Sequence, residues 1–243
     1  MSEKIVEDKL TEDNDPVTFT FAGVLEGLRQ TLSVALSVFI YGLVLGVLAG
    51  QAGLSPLEVF LMSGLVFAGS SQFAALGLWV APLPILTIIL TTVVVNLRHL
   101  LMGAAVRPWM GGLKSWQAYT SLFFLSDESW ALTMGQFAKG KRNGAFLMGS
   151  GLALFVAWTS AGVVGRTLGS VVQDPAKWGL DFAFTAVFLV LVTGMWKGRR
   201  SILPWVVAAA VAVAAAYAFP GTKWYIILGA LAGSVVGAWA NDS

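Results

Sequence analysis

The chain contains no cysteine and few charged residues. Without cysteine it can form no disulfide, thiolate metal site or cysteine nucleophile. Only 12% of its 243 residues are charged, about half the share that is usual in a soluble domain. The net charge is +2, and the scattered loop charges offer no basic face of the kind that binds nucleic acid. These absences exclude thiol chemistry and argue against a soluble or nucleic-acid-binding protein.

The motifs of enzyme chemistry are missing as well. The single histidine, His99, has no metal-ligand spacing around it. The sequence has neither a phosphate-binding Gly-Lys-Ser/Thr loop nor a cofactor fingerprint. Ser70 or Ser71 with His99 could form a nucleophile and base pair, but nothing in the sequence places them together. We therefore predict a protein that is not an enzyme and holds no metal or cofactor.

Long hydrophobic runs are what the sequence does contain. Hydrophobic residues make up 57% of the chain and come in runs of about 20, the length that crosses a bilayer as a helix. The predicted fold is all-α, a polytopic transmembrane helical bundle with one or two broken helices. Residues 17–30 are expected to form a short interfacial helix. Eight segments follow, or seven if the second is re-entrant, at 31–50, 57–80, 84–106, 117–136, 144–167, 180–196, 202–219 and 223–240.

The distribution of Lys and Arg predicts the orientation. Residues 1–16 are polar and acidic, lack the apolar core of a signal peptide, and are predicted to be a disordered cytoplasmic tail. Residues 17–243 are predicted to be one transmembrane permease domain. With eight crossings, the cytoplasmic side holds Lys4, Lys9, Arg29, Lys139, Lys141, Arg142, Lys197, Arg199 and Arg200, and the far side holds Arg107, Lys114, Arg166, Lys177 and Lys223. We therefore expect both termini in the cytoplasm.

Glycines at four-residue spacing predict close helix packing, because small residues let helices approach each other in lipid. The rows are Gly42-Gly46-Gly50, Gly165-Gly169 and Gly229-Gly233-Gly237. The last row has two interpretations, a contact within the bundle or a contact with a second subunit.

Polar residues interrupt the second predicted segment at Gly69, Ser70, Ser71 and Gln72. One interpretation is a continuous helix in which Gly and Ser ease packing. The other is a broken helix, in which these polar groups satisfy the freed backbone. Transporters use such breaks to direct half-helix termini at charged substrate groups.

The third segment carries Asn96, Arg98 and His99. Thr92, Asn96 and His99 share one helical face, because they are spaced by four and three residues. Arg98 lies well inside the span, where a charge costs several kcal/mol unless it is paired or reaches water. The alternatives are a cavity-facing polar cluster, or a snorkelling Arg98 with a structural His99.

Two adjacent carboxylates, Asp127 and Glu128, lie within the fourth segment. They lie about 100° apart on a helix, so both cannot point one way. We expect one to pair with Arg98 and the other to bind a proton or an amine; the alternative is a re-entrant or surface helix with solvated carboxylates. Asp181, at the start of the sixth segment, either offsets the helix dipole or contacts substrate or Arg98 from a second broken helix.

Four stretches together resemble the AzlC family, which includes YgaZ-type permeases. They are "AGLSPLEVFLMSGLVFAGSSQFAALGLW", "TTVVVNLRHLLMGA", "FFLSDESWAL" and "WGLDFAFTAVFL". The resemblance is ordered, covers most of residues 20–240, and is most specific at "AGSSQF" and "NLRH".

The resemblance implies the large subunit of a bacterial branched-chain amino acid exporter in the inner membrane. It implies valine, leucine and isoleucine as substrates, with methionine as a further candidate. It also implies a small hydrophobic partner subunit of the AzlD or YgaH type. Two adjacent carboxylates and the lack of a nucleotide site favour a proton-coupled secondary transporter. The alternative is a scaffold or channel subunit in the lipid bilayer that moves no substrate itself.

An amino-acid zwitterion fits the polar residues. Arg98, or the backbone at Gly69–Ser71, can hold its carboxylate, and Asp127 or Glu128 can hold its ammonium. The predicted apolar wall consists of Phe67, Phe73, Phe123 and Phe124. The predicted substrate-binding residues are Gly69, Ser70, Ser71, Gln72, Asn96, Arg98 and His99, and the predicted proton-coupling or amine-binding residues are Asp127, Glu128 and Asp181.

Overall fold

The computed structural model describes residues 17–169, 189, 193, 198–220 and 224–241. Within these ranges the chain forms α-helices and short 3-10 turns and no β-strand, which confirms the predicted all-α class. The α-helices are α1 Phe21–Gln51, α2 Pro56–Val66, α3 Gly69–Gly77, α4 Ile85–Val106, α5 Ser115–Phe123, α6 Asp127–Phe137, α7 Ala145–Gly169, α8 Ile202–Ala218 and α9 Trp224–Asn241.

Among the described residues, three helices have the length and apolar character to cross a bilayer: α1, α4 with its 3-10 extension to Trp109, and α7. The expected interfacial helix at 17–30 is wrong, because α1 runs without interruption from Phe21. Thr20 starts α1 early, since its hydroxyl accepts a hydrogen bond from the Gly23 amide at 3.2 Å. The sixth predicted segment lies outside the described residues, apart from residues 189 and 193.

Two predicted segments are broken helices. The second forms α2 and α3, which are separated by Phe67 and Ala68. The fourth was predicted as one helix, and it forms α5 and α6 with residues 124–126 between them. Phe67 ends α2 in the left-handed region at φ +33°, a conformation that is strained for a bulky residue. The first break lies within hydrophobic sequence, so hydropathy does not mark it, whereas the second directly precedes the polar residues 127–129.

Residues 17–69 and 97–169 form one compact group of helices. Within it α1 and α7 approach so closely that glycine is required at their contacts. A Cβ atom on Gly46 would lie 2.1 Å from the Gly162 carbonyl oxygen, and one on Gly165 would lie 2.1 Å from the Leu43 carbonyl oxygen. Two of the predicted glycine rows therefore pack helix against helix.

Gly46→Ala is expected to destabilise the contact between α1 and α7. The added methyl group meets backbone, which cannot rotate away, and overpacking of this kind costs about 1–3 kcal/mol. Thermal unfolding of the purified protein in detergent should shift to lower temperature. Gly64→Ala is the matched control, because its Cβ would meet only the Phe155 ring, at 3.9 Å. An equal effect of the two substitutions would contradict the glycine contact.

Residues 70–96 and the described part of 171–243 form a second compact group. Here the predicted third glycine row lies on α9 and packs against α8. A Cβ on Gly229 would lie 2.9 Å from the Ala208 carbonyl oxygen, and one on Gly233 would lie 2.8 Å from the Ala208 Cβ. The row therefore contacts the same chain, which was the first of its two interpretations.

Candidate substrate-binding site

The start of α6 places the two acidic residues. Ser126 has extended backbone, and its hydroxyl accepts a hydrogen bond from the Ser129 amide at 3.3 Å. The Ser129 hydroxyl in turn accepts from the Ser126 amide at 2.8 Å, so both amides of this capping box are satisfied. Asp127 and Glu128 occupy the first turn of α6, where the helix dipole stabilises negative charge.

Arg98 of α4 forms an ion pair with Asp127. Its Nη1 atom lies 2.7 Å from Asp127 Oδ2, and the two side chains are 32% and 46% exposed. Pairing reduces the cost of holding a guanidinium within a hydrophobic helix. Asp127, which directly follows the break in the fourth segment, is thus the partner that Arg98 requires.

Glu128 has different surroundings from Asp127. It is exposed, and its Oε2 atom accepts a hydrogen bond from the Ser126 hydroxyl at 2.9 Å. Tyr41 of α1 lies within electrostatic range of Glu128, and the Tyr41 ring centroid is 6.2 Å from that of Trp158. One acidic residue is therefore paired with a cation, and the other accepts a hydrogen bond from a hydroxyl group.

Aromatic rings from both breaks meet on α7. The Phe155 ring lies 5.2 Å from Phe67, 5.4 Å from Phe124 and 6.0 Å from Phe123, measured between centroids. Three of the expected wall residues, Phe67, Phe123 and Phe124, therefore contact the same ring, and that ring, Phe155, is not among the predicted site residues. Gly151, Phe155 and Trp158 occur at helical spacing, but only the packing shows what this face of α7 contacts.

The second predicted segment differs in detail from the expectation. Gly69 to Gln72 form the first turn of α3, so the unwound residues are Phe67 and Ala68 instead. Ser71 and Gln72 are buried. The Asn96 amide group donates a hydrogen bond to the Ser71 hydroxyl at 3.3 Å.

The remaining predicted residues are placed as follows. Ser70 and His99 are partly exposed, on α3 and α4 respectively, and Phe73 is fully buried on α3. Asp181 lies outside the described residues. Tyr41, Phe155 and Trp158 are the residues near the ion pair and the breaks that sequence reasoning missed.

A helical bundle whose broken helices carry charged and polar side chains has the architecture of a membrane transport protein. The family model described as AzlC protein matches residues 33–172, which is more than half of the chain. The chain therefore belongs to the AzlC family, and its role is in membrane transport.

Curated relatives match over most of their length. An uncharacterized membrane protein of Archaeoglobus fulgidus is 32% identical over 223 residues, covering 89% of this chain and 95% of the relative. The branched-chain amino acid transport protein AzlC of Bacillus subtilis is 25% identical, covering 85% and 81%. The inner membrane protein YgaZ of Escherichia coli is 26% identical, covering 74% and 76%. No solved structure matches the chain.

Proposed function

We propose that this chain is the large subunit of a secondary transporter that exports branched-chain amino acids. The name of the Bacillus subtilis relative supports this substrate class. The observation that carries the proposal is the Arg98–Asp127 ion pair at the start of α6. A paired positive and negative group beside a second acidic residue is complementary to a zwitterion, whereas a lone charge would select an anion or a cation.

Arg98 is the proposed ligand of the substrate carboxylate. A guanidinium has five N–H donors, so Arg98 can bind a second carboxylate while Nη1 stays on Asp127. Charge-assisted hydrogen bonds of this kind are about twice as strong as neutral ones. Asp127 then balances the positive charge of Arg98 while no substrate is bound. Substrate binding therefore requires no new buried charge.

The substrate ammonium is proposed to bind Glu128. Glu128 is exposed, and the residues around it include the Ser126 hydroxyl, Tyr41 and Asp127. An ammonium can pair with such an exposed carboxylate directly through charge-assisted hydrogen bonds. We further propose that Gly69, Ser70, Ser71, Gln72, Asn96, His99 and Asp181 contribute polar contacts during the transport cycle.

Proton coupling is proposed to use the same acidic residue. When the ammonium leaves, Glu128 would take up a proton, so that an inward proton accompanies each outward amino acid. In this scheme export runs in a bacterial inner membrane with both termini in the cytoplasm, and it requires a small AzlD-type subunit. Valine efflux from preloaded cells, with this chain alone and with such a partner, tests the substrate class and the partner together.

Glu128→Gln is expected to remove the dependence of valine export on the pH gradient. Gln cannot exchange a proton, yet it keeps an oxygen that can face the ammonium, so exchange of valine down its own gradient should persist. The measurement is efflux in energised cells with and without an uncoupler. Glu58→Gln is the control. The Glu58 side chain accepts a hydrogen bond from the Ser55 amide in the capping box at the start of α2, and a glutamine oxygen can accept the same bond. Uncoupler-sensitive export by Glu128→Gln would contradict proton coupling through this residue.

A further inference from the structure

One face of α7 contacts both breaks. Gly151, Phe155 and Trp158 are spaced by four and three residues and therefore share this face. A Cβ on Gly151 would lie 2.1 Å from the Phe124 carbonyl oxygen, in the break between α5 and α6. A Cβ on Gly69, which follows the other break, would lie 3.0 Å from Cη2 of Trp158.

Phe155 lies between these two contacts. Its ring meets Phe67 at an interplanar angle of 69° and Phe124 at 80°, edge-to-face arrangements that aromatic pairs favour. Phe67 holds the strained φ of +33°, and strain of this kind persists only where the surrounding structure enforces it. Phe155 therefore packs against a ring from each of the two breaks. It remains partly exposed, so part of its ring is accessible to a ligand.

The aromatic cluster of Phe67, Phe123, Phe124 and Phe155 lies close in sequence to the acidic residues at the start of α6. Phe124 precedes Asp127 by three residues, a reach of at most about 10 Å. An α-amino acid carries both charged groups and its side chain on a single carbon atom. A substrate held by Arg98 and Glu128 must therefore place its side chain next to the charged groups, and the aromatic cluster is the apolar surface that adjoins them in the chain.

We propose that Phe155 determines which aliphatic side chains the transporter accepts. This inference rests on the proposed function, because it concerns the same substrate. The Phe155 ring sets how closely the rings of the two breaks approach, and so sets the space for the substrate side chain. A smaller residue at this position enlarges that space, and a larger one reduces it. Phe67, Phe123 and Phe124 form the sides of the surface, and Phe155 forms its floor.

The test is competition between amino acids of different size. Cells expressing the full chain with its small partner are preloaded with an equimolar mixture of alanine, valine, leucine and isoleucine, and the efflux of each is measured. Phe155→Leu should raise the efflux of leucine relative to valine, and Phe155→Trp should lower it. A change of about tenfold is expected in each direction, since one methylene in an apolar site alters selectivity by that factor or more.

The efflux of one amino acid relative to another is compared, because this ratio does not depend on how much protein reaches the membrane. Phe155→Met, which is closer to Phe in volume, replaces Phe155→Leu if the latter is not inserted. Phe60→Leu is the matched control, since Phe60 is 50% exposed on α2, and its ratios should equal those of the wild type. Active Phe155 variants with wild-type ratios would overturn the inference alone. A wild type that exports none of the four amino acids would overturn the proposed function and the inference with it.

Discussion

Arg98→Ala is expected to lower valine efflux strongly while the chain still inserts into the membrane. The substitution removes the proposed carboxylate ligand and leaves Asp127 without its cation. Truncating one partner of a hydrogen-bonded charge pair costs about 2–5 kcal/mol at buried interfaces. Because the two side chains are 32% and 46% exposed, we expect a free-energy cost at the lower end of this range, about 2 kcal/mol. That corresponds to roughly a 30-fold loss of efflux. Efflux is measured per inserted molecule, with membrane amounts determined in parallel.

A double-mutant cycle separates substrate binding from a structural ion pair. If the pair only stabilises the fold, replacing both Arg98 and Asp127 with alanine removes both charges and should restore efflux. If Arg98 binds substrate, the double variant stays as inactive as Arg98→Ala. Arg98→Lys should be intermediate, because lysine keeps the charge but loses the planar fork that binds a carboxylate. Arg107→Ala, at an exposed position in the 3-10 extension of α4, should behave as the wild type.

The same cycle tests the alternative of a scaffold subunit. A scaffold that moves no substrate should tolerate Arg98→Ala, or lose assembly with its partner altogether. Efflux that is lost while insertion and assembly persist is expected only from a transporting subunit. Normal efflux in Arg98→Ala would contradict both the ion-pair site and the proposed recognition of the substrate carboxylate.

The Arg98–Asp127 contact shows what the sequence could predict. A guanidinium within a hydrophobic helix requires a partner, and few acidic residues lie within the hydrophobic segments. The requirement follows from energetics alone, and it leaves Asp127, Glu128 and Asp181 as the candidate partners of Arg98. The choice between Asp127 and Glu128 could not be made, because it depends on how the first turn of α6 is oriented toward α4.

The breaks show where sequence reasoning failed. Apolar residues lie on both sides of Asp127 and Glu128, so the sequence predicts one helix for the fourth segment. The local signal was the Ser126 capping position directly before two acidic residues, which is typical of a helix start. At the other break, glycine was expected to unwind, yet Phe67 does. The Phe67 ring packs against Phe155 there, and a strained backbone persists only where the surrounding structure enforces it.

The largest structural effect on transport is expected from Gly151→Ala. The added Cβ would lie 2.1 Å from the Phe124 carbonyl oxygen, a contact that only backbone movement can relieve. Phe124 belongs to the break, so the movement passes to Ser126 and Asp127 at the start of α6. A misplacement of about 1 Å in positioned groups can lower a rate about 100-fold. Valine efflux per inserted molecule should fall by about that factor.

Gly149→Ala is the matched control, because its added Cβ would approach a backbone oxygen equally closely. Its Cβ would lie 2.0 Å from the Val24 carbonyl oxygen, so it strains α7 against α1 and not against the break. It should lower the amount and the thermal stability of the folded protein while each folded molecule still exports valine. Gly135→Ala, with no atom within 4 Å of its Cβ, should change neither property. If Gly149→Ala and Gly151→Ala reduced efflux per folded molecule equally, general destabilisation of α7 would account for both, and the position of the break would not control transport.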